Sequence, residues 1–519
     1  MILSPDMRRL LKTILIFGIG SLTLLYCTLK RAPQPTNGKA LAEKHCGSCH
    51  LPVAPGMLDS ATWADNILPA MAPKLGIQVW SKTAYYKEDE LHVAGQGSIN
   101  ALPADQSLSL GDWMKIVDYF KEESPKKLDP AAPPREPVYD WSVFTLKKPA
   151  IKNPPAARTT LVSFNAADKR IYTGNDYAEL TLWDADLRPL STGRAPSAPV
   201  HIRYTDSGAN DRQAILTCIG TIDALDNNLG SVLRLSSGAA AYHDTLFNSL
   251  PRPVQTAPID YNKDGLTDWI VCGFGRHQGA LYLFRQMKEG GFSKIILKEQ
   301  PGAIQAEVND FNGDGWPDLL VLFAQANEEI VLFLNDAKGN FIQKTLLQFP
   351  AVQGSSSFQT ADFNKDGKWD ILYTAGDNAD YSNILKPYHG VYIFMNKGDL
   401  VFEPSYFYPM NGCYKAMAAD MDGDGDMDIA AISFFPDMEK EPREGFVYLE
   451  QDGALRFLPH AIPVSAYGRW SCMDINDYDG DGDQDIILGN YSNGAAYKKE
   501  LSSTQYETQP FIILQNQTR

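Results

Sequence analysis

Basic residues are the minority in this chain: 47 Lys and Arg stand against 63 Asp and Glu, a net charge of −16. No basic patch or stripe stands out, which argues against nucleic acid as a partner. Helical periodicity is missing from about Thr159 onward. No nucleophile and base stand at a recognisable spacing and no Gly-rich phosphate loop is present, so no catalytic residue is assigned. Cysteine is scarce, seven in 519 residues. That scarcity makes any close pair of them informative.

The close pair lies in Cys46-Gly-Ser-Cys49-His50. Two thiols three apart on a helical turn can add across both vinyl groups of a haem, and the histidine behind them presents a ring nitrogen to the iron. Structural zinc would want two more Cys or His ligands nearby, and a dithiol redox motif does not need His50. The stretch resembles c-type cytochromes over about residues 37–127. The resemblance implies one covalent haem c in a small all-α domain, residues 37–128, attached through Cys46 and Cys49 with His50 on the iron. Met57, Met71 and Met114 are the candidates for the sixth ligand. Met57 stands only seven residues past His50, and Met114 lies in a run with helical spacing, Asp112 to Phe120. Met71, with Pro69 and Pro73 on either side, reads as a rigid ligand loop. The alternative leaves Met71 as packing, with the iron five-coordinate or paired to His92 or His45.

A chain of this length is too long for one core. Arg8, Arg9 and Lys12 precede an apolar run from Thr13 to Leu29, an export signal. Leu24-Leu-Tyr-Cys27 resembles a lipoprotein cleavage box, except that Tyr26 replaces a small residue; an uncleaved helix is the other reading. Both predict a membrane tether, in the periplasm or at the cell surface. Residues 1–36 are thus anchor and spacer, and 129–157 a proline-dense linker. Inside that linker Trp141 to Leu146 is a β-type run with no local partner. Cys218, Cys272, Cys413 and Cys472 are compatible with two disulfides or with buried free thiols.

Residues 158–519 repeat. Five acidic loops begin at Asp260, Asp310, Asp362, Asp420 and Asp477, which stand 50, 52, 58 and 57 residues apart. Such a period signals a propeller or solenoid. Each loop leads into a short buried-strand run, a second run and a Gly-containing turn to a third, the content of a four-stranded blade. Two earlier repeats keep the rhythm without the loop, giving an all-β seven-bladed propeller. Its last blade lacks an outer strand after Phe511 to Leu514, and residues 143–146 are predicted to fill it.

Within each loop, side-chain oxygens at positions 1, 3, 5 and 9 converge and glycine at position 6 allows a sharp turn. The sets are Asp260, Asn262, Asp264 and Asp268; Asp310, Asn312, Asp314 and Asp318; Asp362, Asn364, Asp366 and Asp370; Asp420, Asp422, Asp424 and Asp428; Asp477, Asp479, Asp481 and Asp485. Hard oxygen ligands in a flexible cage suit Ca²⁺ better than Mg²⁺, with up to five ions expected. These loops resemble the FG-GAP or VCBS repeats of integrin-type propellers. They lack the twelfth-position glutamate of an EF-hand. The expected role is to staple the hairpin between two strands.

Polar residues entering the loops, Gln255, Gln305, Glu307, Ser357, Gln359, Lys415 and Asp474, are candidates for the central channel. Arg276, His277, Asp377, Asp380, Tyr381, Arg469, Trp470 and Tyr491 are candidates in the loops beyond. Three functions compete. The first is an exported, membrane-tethered electron carrier that meets a redox partner protein or a small-molecule donor or acceptor. The second is an oxidoreductase whose propeller binds substrate, and the third an adhesion or carbohydrate-binding propeller. No feature assigns an oligomeric state.

Overall fold

Asp268–Gly273, Asp318–Phe323, Asp370–Ala375, Asp428–Ser433 and Asp485–Asn490 are buried at every residue. A strand with no polar face needs cover on both sides, and the neighbouring repeats supply it. The computed structural model describes residues 37–81, 84–86, 108–151, 157–165, 167–206, 212–236, 238–379, 382, 384–437, 440, 442–492 and 509–519. Among these residues, seven four-stranded antiparallel sheets form the seven blades of a β-propeller. Their innermost strands are Thr159–Asn165, Pro199–Asp206, Pro253–Ile259, Ala303–Asn309, Ser355–Ala361, Cys413–Ala419 and Trp470–Asn476 for blades 1 to 7. Seven apolar clusters lie between adjacent blades, one at each junction around the ring. The core is therefore a circle of interfaces with no single centre.

The ring closes as the orphan run predicts. Phe144–Lys147 pairs antiparallel with Phe511–Asn516, Phe144 opposite Asn516 and Lys147 opposite Ile513, and becomes the outer strand of blade 7. Phe144 is buried edge-on against Tyr448 of blade 6, ring centroids 5.3 Å apart. Burying a phenylalanine there removes apolar surface from water and covers an open sheet edge together.

The segment before the ring has its own core. Helix Gly38–Cys46 starts on Asn37, whose Oδ1 accepts from the Ala40 amide at 2.8 Å. Helix Leu110–Glu123 starts on Ser109 and buries Trp113, Ile116, Val117 and Phe120. Two expectations change here. The segment is not purely helical, because Gln78–Ser81 pairs with Ala84–Tyr86; Gly76, at φ 77°, ends the preceding turn and releases an extended run. Met71 is not in an open loop either. Pro69 and Pro73 stand in the first turns of helix Leu68–Met71 and of the 3-10 turn Ala72–Leu75, where a missing N–H costs nothing.

The export segment with Cys27, and His92, lie outside the described residues. No described helix is long and apolar enough to cross a membrane. The six described cysteines are all free, so among the described residues the thiol reading of Cys218, Cys272, Cys413 and Cys472 holds.

Candidate functional site

Each acidic loop joins an innermost strand to the second strand of its blade, so all five open at one end of the ring. The first aspartate folds its own loop. Asp310 accepts from the amides of Gly313 (2.8 Å), Asp314 (3.1 Å) and Gly315 (2.7 Å), and Asp362 accepts from Asp366 (3.1 Å) and Gly367 (2.8 Å). The sixth position has φ between 78° and 96° in all five, which only glycine adopts cheaply.

The ninth aspartate has two tasks. Asp268, Asp318, Asp370, Asp428 and Asp485 are fully buried. Asp428 Oδ1 accepts from the Gln451 amide at 2.8 Å, and Oδ2 accepts from the amides of Met421 (2.9 Å) and Asp422 (3.3 Å) and from the Tyr448 hydroxyl (3.0 Å). Asp485 does the same for Asn516 and Tyr478. Burial pushes Asp268 and Asp428 up to about 6 and Asp485 up to about 7, and raises Asp318 and Asp370. By contrast Asp264 and Asp314 at position 5 are held below the ordinary carboxylate range by the amides they accept from.

The donor set fits a hard divalent cation. Carboxylate oxygens of Asp420, Asp422 and Asp424 lie within 4.8 Å of one another, as do those of Asp477, Asp479 and Asp485. Asp268 Oδ2 and Asp479 Oδ1 are buried with no hydrogen-bond donor, and a cation is what such an oxygen lacks. In blades 3, 4 and 5 the position-3 residue is Asn262, Asn312 or Asn364, which donates Nδ2–H to the position-5 carboxylate at 2.9, 2.9 and 3.2 Å.

Cys46 closes helix Gly38–Cys46, and both it and Met71 pack against the segment's apolar core. Burial, then the neighbouring Cys49, pushes the Cys46 thiol up to about 11. Cys49 is exposed. His50 Nδ1 lies 3.0 Å from the Leu51 carbonyl, which accepts from the Nδ1–H tautomer and leaves Nε2 for a metal. Trp113 Nε1 and Tyr85 Oη in the same segment are buried without partners. Two thiols, one imidazole nitrogen and unspent donors are a set that fits a covalently held porphyrin.

The channel candidates turn out to serve the neighbouring blade. An innermost strand has one edge with no strand beside it, so its amides need acceptors. Gln255 Oε1 accepts from Ala306 N (2.5 Å), Gln359 Oε1 from Ala418 N (2.8 Å), Glu307 from Thr360 N (3.1 Å), and Asp474 from Phe164 N (2.8 Å). Gln305 brackets Phe358, and Ser357 Oγ accepts from Ala416 N. Lys415 Nζ donates to the Met473 carbonyl at 2.8 Å. Each step runs to the next blade.

Among the loop candidates, His277 Nδ1 lies 2.7 Å from Asp226, the Arg469 guanidinium lies 3.7 Å over the Phe434 ring, and the Tyr491 hydroxyl donates to Asp176 at 2.6 Å. Arg276 is exposed, and Asp377 Oδ1 accepts from the Ala379 amide at 3.0 Å. Trp470 is core, and Asp380 and Tyr381 lie outside the described residues. Sequence reasoning misses Tyr388, whose hydroxyl reaches the Met57 carbonyl at 3.1 Å. A lone tyrosine before a strand carries no signal for that contact.

A family profile described as FG-GAP-like repeat matches residues 260–321 and 310–373, the loops of blades 3, 4 and 5. The chain thus carries FG-GAP repeats on a propeller, a scaffold consistent with binding a ligand or partner. No curated protein matches the sequence. Among solved structures the chain is similar to the Neurospora crassa Pan2 WD40 domain, at 9% identity over 73% of this chain and 97% of that one, TM-score 0.44. It is also similar to U3-55K, at 9% identity over 73% and 99%, TM-score 0.45. A third is BBS1N in complex with ARL6DN, at 10% identity over 72% and 97%, TM-score 0.43.

Proposed function

We propose that the protein is an exported, membrane-tethered c-type cytochrome that carries single electrons, with a calcium-stapled propeller that docks its redox partner. The observation that carries the reading is the thiol pair: Cys46 at a helix end, Cys49 exposed, and His50 with its Nε2 unspent. Cys46 and Cys49 would hold the haem, His50 would ligate the iron, and Met71 would supply the sixth ligand. Bound in that way, haem supplies one-electron chemistry at a potential that a thioether ligand raises. The protein's part is to fix the imidazole tautomer through Leu51 and to set the segment on the propeller through Tyr388. Gln255, Glu307, Gln359, Lys415 and Asp474, the polar residues on the innermost strands that could have served substrate oxidation, are committed to neighbouring blades, which favours a carrier over a dehydrogenase. Ca²⁺ in the five loops would pin the scaffold.

The test is export of the full chain in a host that matures cytochromes, followed by denaturation. Porphyrin retained by the denatured chain, and lost in a Cys46→Ala, Cys49→Ala variant, supports the reading. A denatured wild-type chain free of porphyrin overturns it.

A further inference from the structure

The acidic loops are not independent, because position 4 of one loop reaches position 7 of the next. Lys263 at position 4 of blade 3 sets its ammonium 4.3 Å over the ring of Trp316 at position 7 of blade 4. Lys365 at position 4 of blade 5 forms a 2.6 Å ion pair with Asp426 at position 7 of blade 6. Both lysines are left-handed, at φ 54° and 59°, as are the glycines at the same position in the other loops. The register is therefore a property of the ring, and the residue at position 4 decides what faces position 7.

At the junction of blades 6 and 7 the carboxylate is present and the lysine is not. Position 7 is Asp483 and position 4 is Gly423. Between them lies a cavity of about 230 Å³, lined by Asp420, Gly423, Asp483, Thr518 and Arg519 among others. Asp483 is 5% exposed. Its Oδ2 accepts from the amides of Thr518 and Arg519 at 3.2 Å each, while Oδ1 is buried with no hydrogen-bond partner. The Arg519 guanidinium lies beside Gly482 and, among the described residues, pairs with no carboxylate, so no described cation satisfies Oδ1. The cavity has room for more than an ammonium head, and an alkyl stem fits beside it.

We propose that the cavity between the acidic loops of blades 6 and 7 binds a primary alkylammonium group, with Asp483 Oδ1 as its acceptor and the open face above Gly423 as its entry. The group stands where Lys365 stands against Asp426 one junction earlier. It comes either from a free diamine or from a lysine side chain of a bound partner, and the chemistry is the same for both. The site is separate from the haem-attachment residues and does not depend on them.

The test is calorimetric titration of the full chain, saturated with calcium, with 1,5-diaminopentane and, separately, with N-acetyl-lysine amide against N-acetyl-norleucine amide. Saturable binding of an amine, weakened about tenfold or more in both Asp483→Asn and Gly423→Lys, is the expected result. Gly423→Lys leaves Asp483 intact and fills the site with a tethered ammonium. Lysine is tolerated at that φ in two sister loops, and a Cβ at Gly423 meets nothing within 4 Å. Tighter binding of the diamine assigns the site to free amines, and tighter binding of the lysine amide, with none of the norleucine amide, assigns it to a partner's lysine. No saturable heat with either amine up to about 10 mM, or equal affinity in wild type and both variants, overturns the proposal.

Discussion

The Tyr388 hydroxyl faces the carbonyl oxygens of Met57 at 3.1 Å and of Val352 at 3.3 Å, and so ties the segment that follows His50 to the loops of blade 5. Val352 and Ile384 add apolar contact from the same end of the ring. That end is opposite the acidic loops, since it carries the turns after the second strands and before the innermost ones. A half-buried hydroxyl whose one proton is shared between two carbonyls contributes about 1 kcal/mol, and removing it takes that donor from both. Tyr388→Phe is expected to speed amide exchange at Leu58 and Trp63 several-fold while leaving the second strands of the blades unchanged. Equal exchange in variant and wild type would show that apolar contact alone holds the segment.

The propeller was legible because in five blades the second strand is buried on both faces and reads as an unbroken apolar run, such as Leu319 to Leu322, introduced by an acidic loop that marks its phase. The closing strand was legible for the opposite reason, since Val143 to Leu146 had no partner nearby and the last blade had a strand missing. Gln255, Gln305 and Asp474 were not legible. A polar residue on an innermost strand looks the same whether it meets a ligand or an orphan amide of the next blade, and only the ring geometry separates the two. Met71 misled because proline on each side suits a rigid loop and a helix start equally well. The pairing of positions 4 and 7 joins residues in different repeats, and no periodicity within one repeat carries it.

Two glutamates, Glu328 buried and Glu307 half-buried, make the junction of blades 4 and 5 sensitive to pH. Glu307 accepts from the Thr360 amide and hydroxyl, and Glu328 accepts from the amides of Gly354 (3.2 Å) and Ser355 (2.7 Å). Those donors favour the carboxylate, yet burial outweighs them and pushes both groups up to about 7. A carboxyl whose value is higher in the folded state than its unfolded value of about 4.3 binds its proton more tightly when folded. Its contribution is fully present below about pH 4 and is lost as pH rises through about 7. With calcium saturating, the urea midpoint is therefore expected to fall between about pH 5 and pH 8. The double variant Glu307→Gln, Glu328→Gln should flatten that fall and gain on wild type at the alkaline end. A wild-type midpoint that rises over this window would contradict the assignment.

Asp428 and Asp424 belong to one loop but stabilise it in different ways, and chelation separates them. Asp428 is buried and satisfies three amides and the Tyr448 hydroxyl, tying the loop to Gln451 at the third strand of its blade. Every donor in those bonds belongs to the protein itself. Asp424 is exposed, accepts from the Asp426 amide at 2.7 Å, and sets a carboxylate oxygen within 4.8 Å of the position-1 and position-3 carboxylates. Its natural complement is a cation, because three carboxylates within 4.8 Å repel one another otherwise. Asp428→Ala orphans several buried donors and is expected to cost about 3–4 kcal/mol of unfolding free energy whether calcium or chelator is present. Asp424→Ala removes a repulsion in chelator, so its thermal midpoint there should equal or slightly exceed that of wild type, while the rise on adding calcium shrinks by the share of one loop. Calorimetric melts of the three proteins with and without calcium decide the matter. If Asp428→Ala were harmless in chelator, its buried bonds would be a by-product of metal geometry, whereas a large loss for Asp424→Ala in chelator would make the loop a polar network that has no use for an ion.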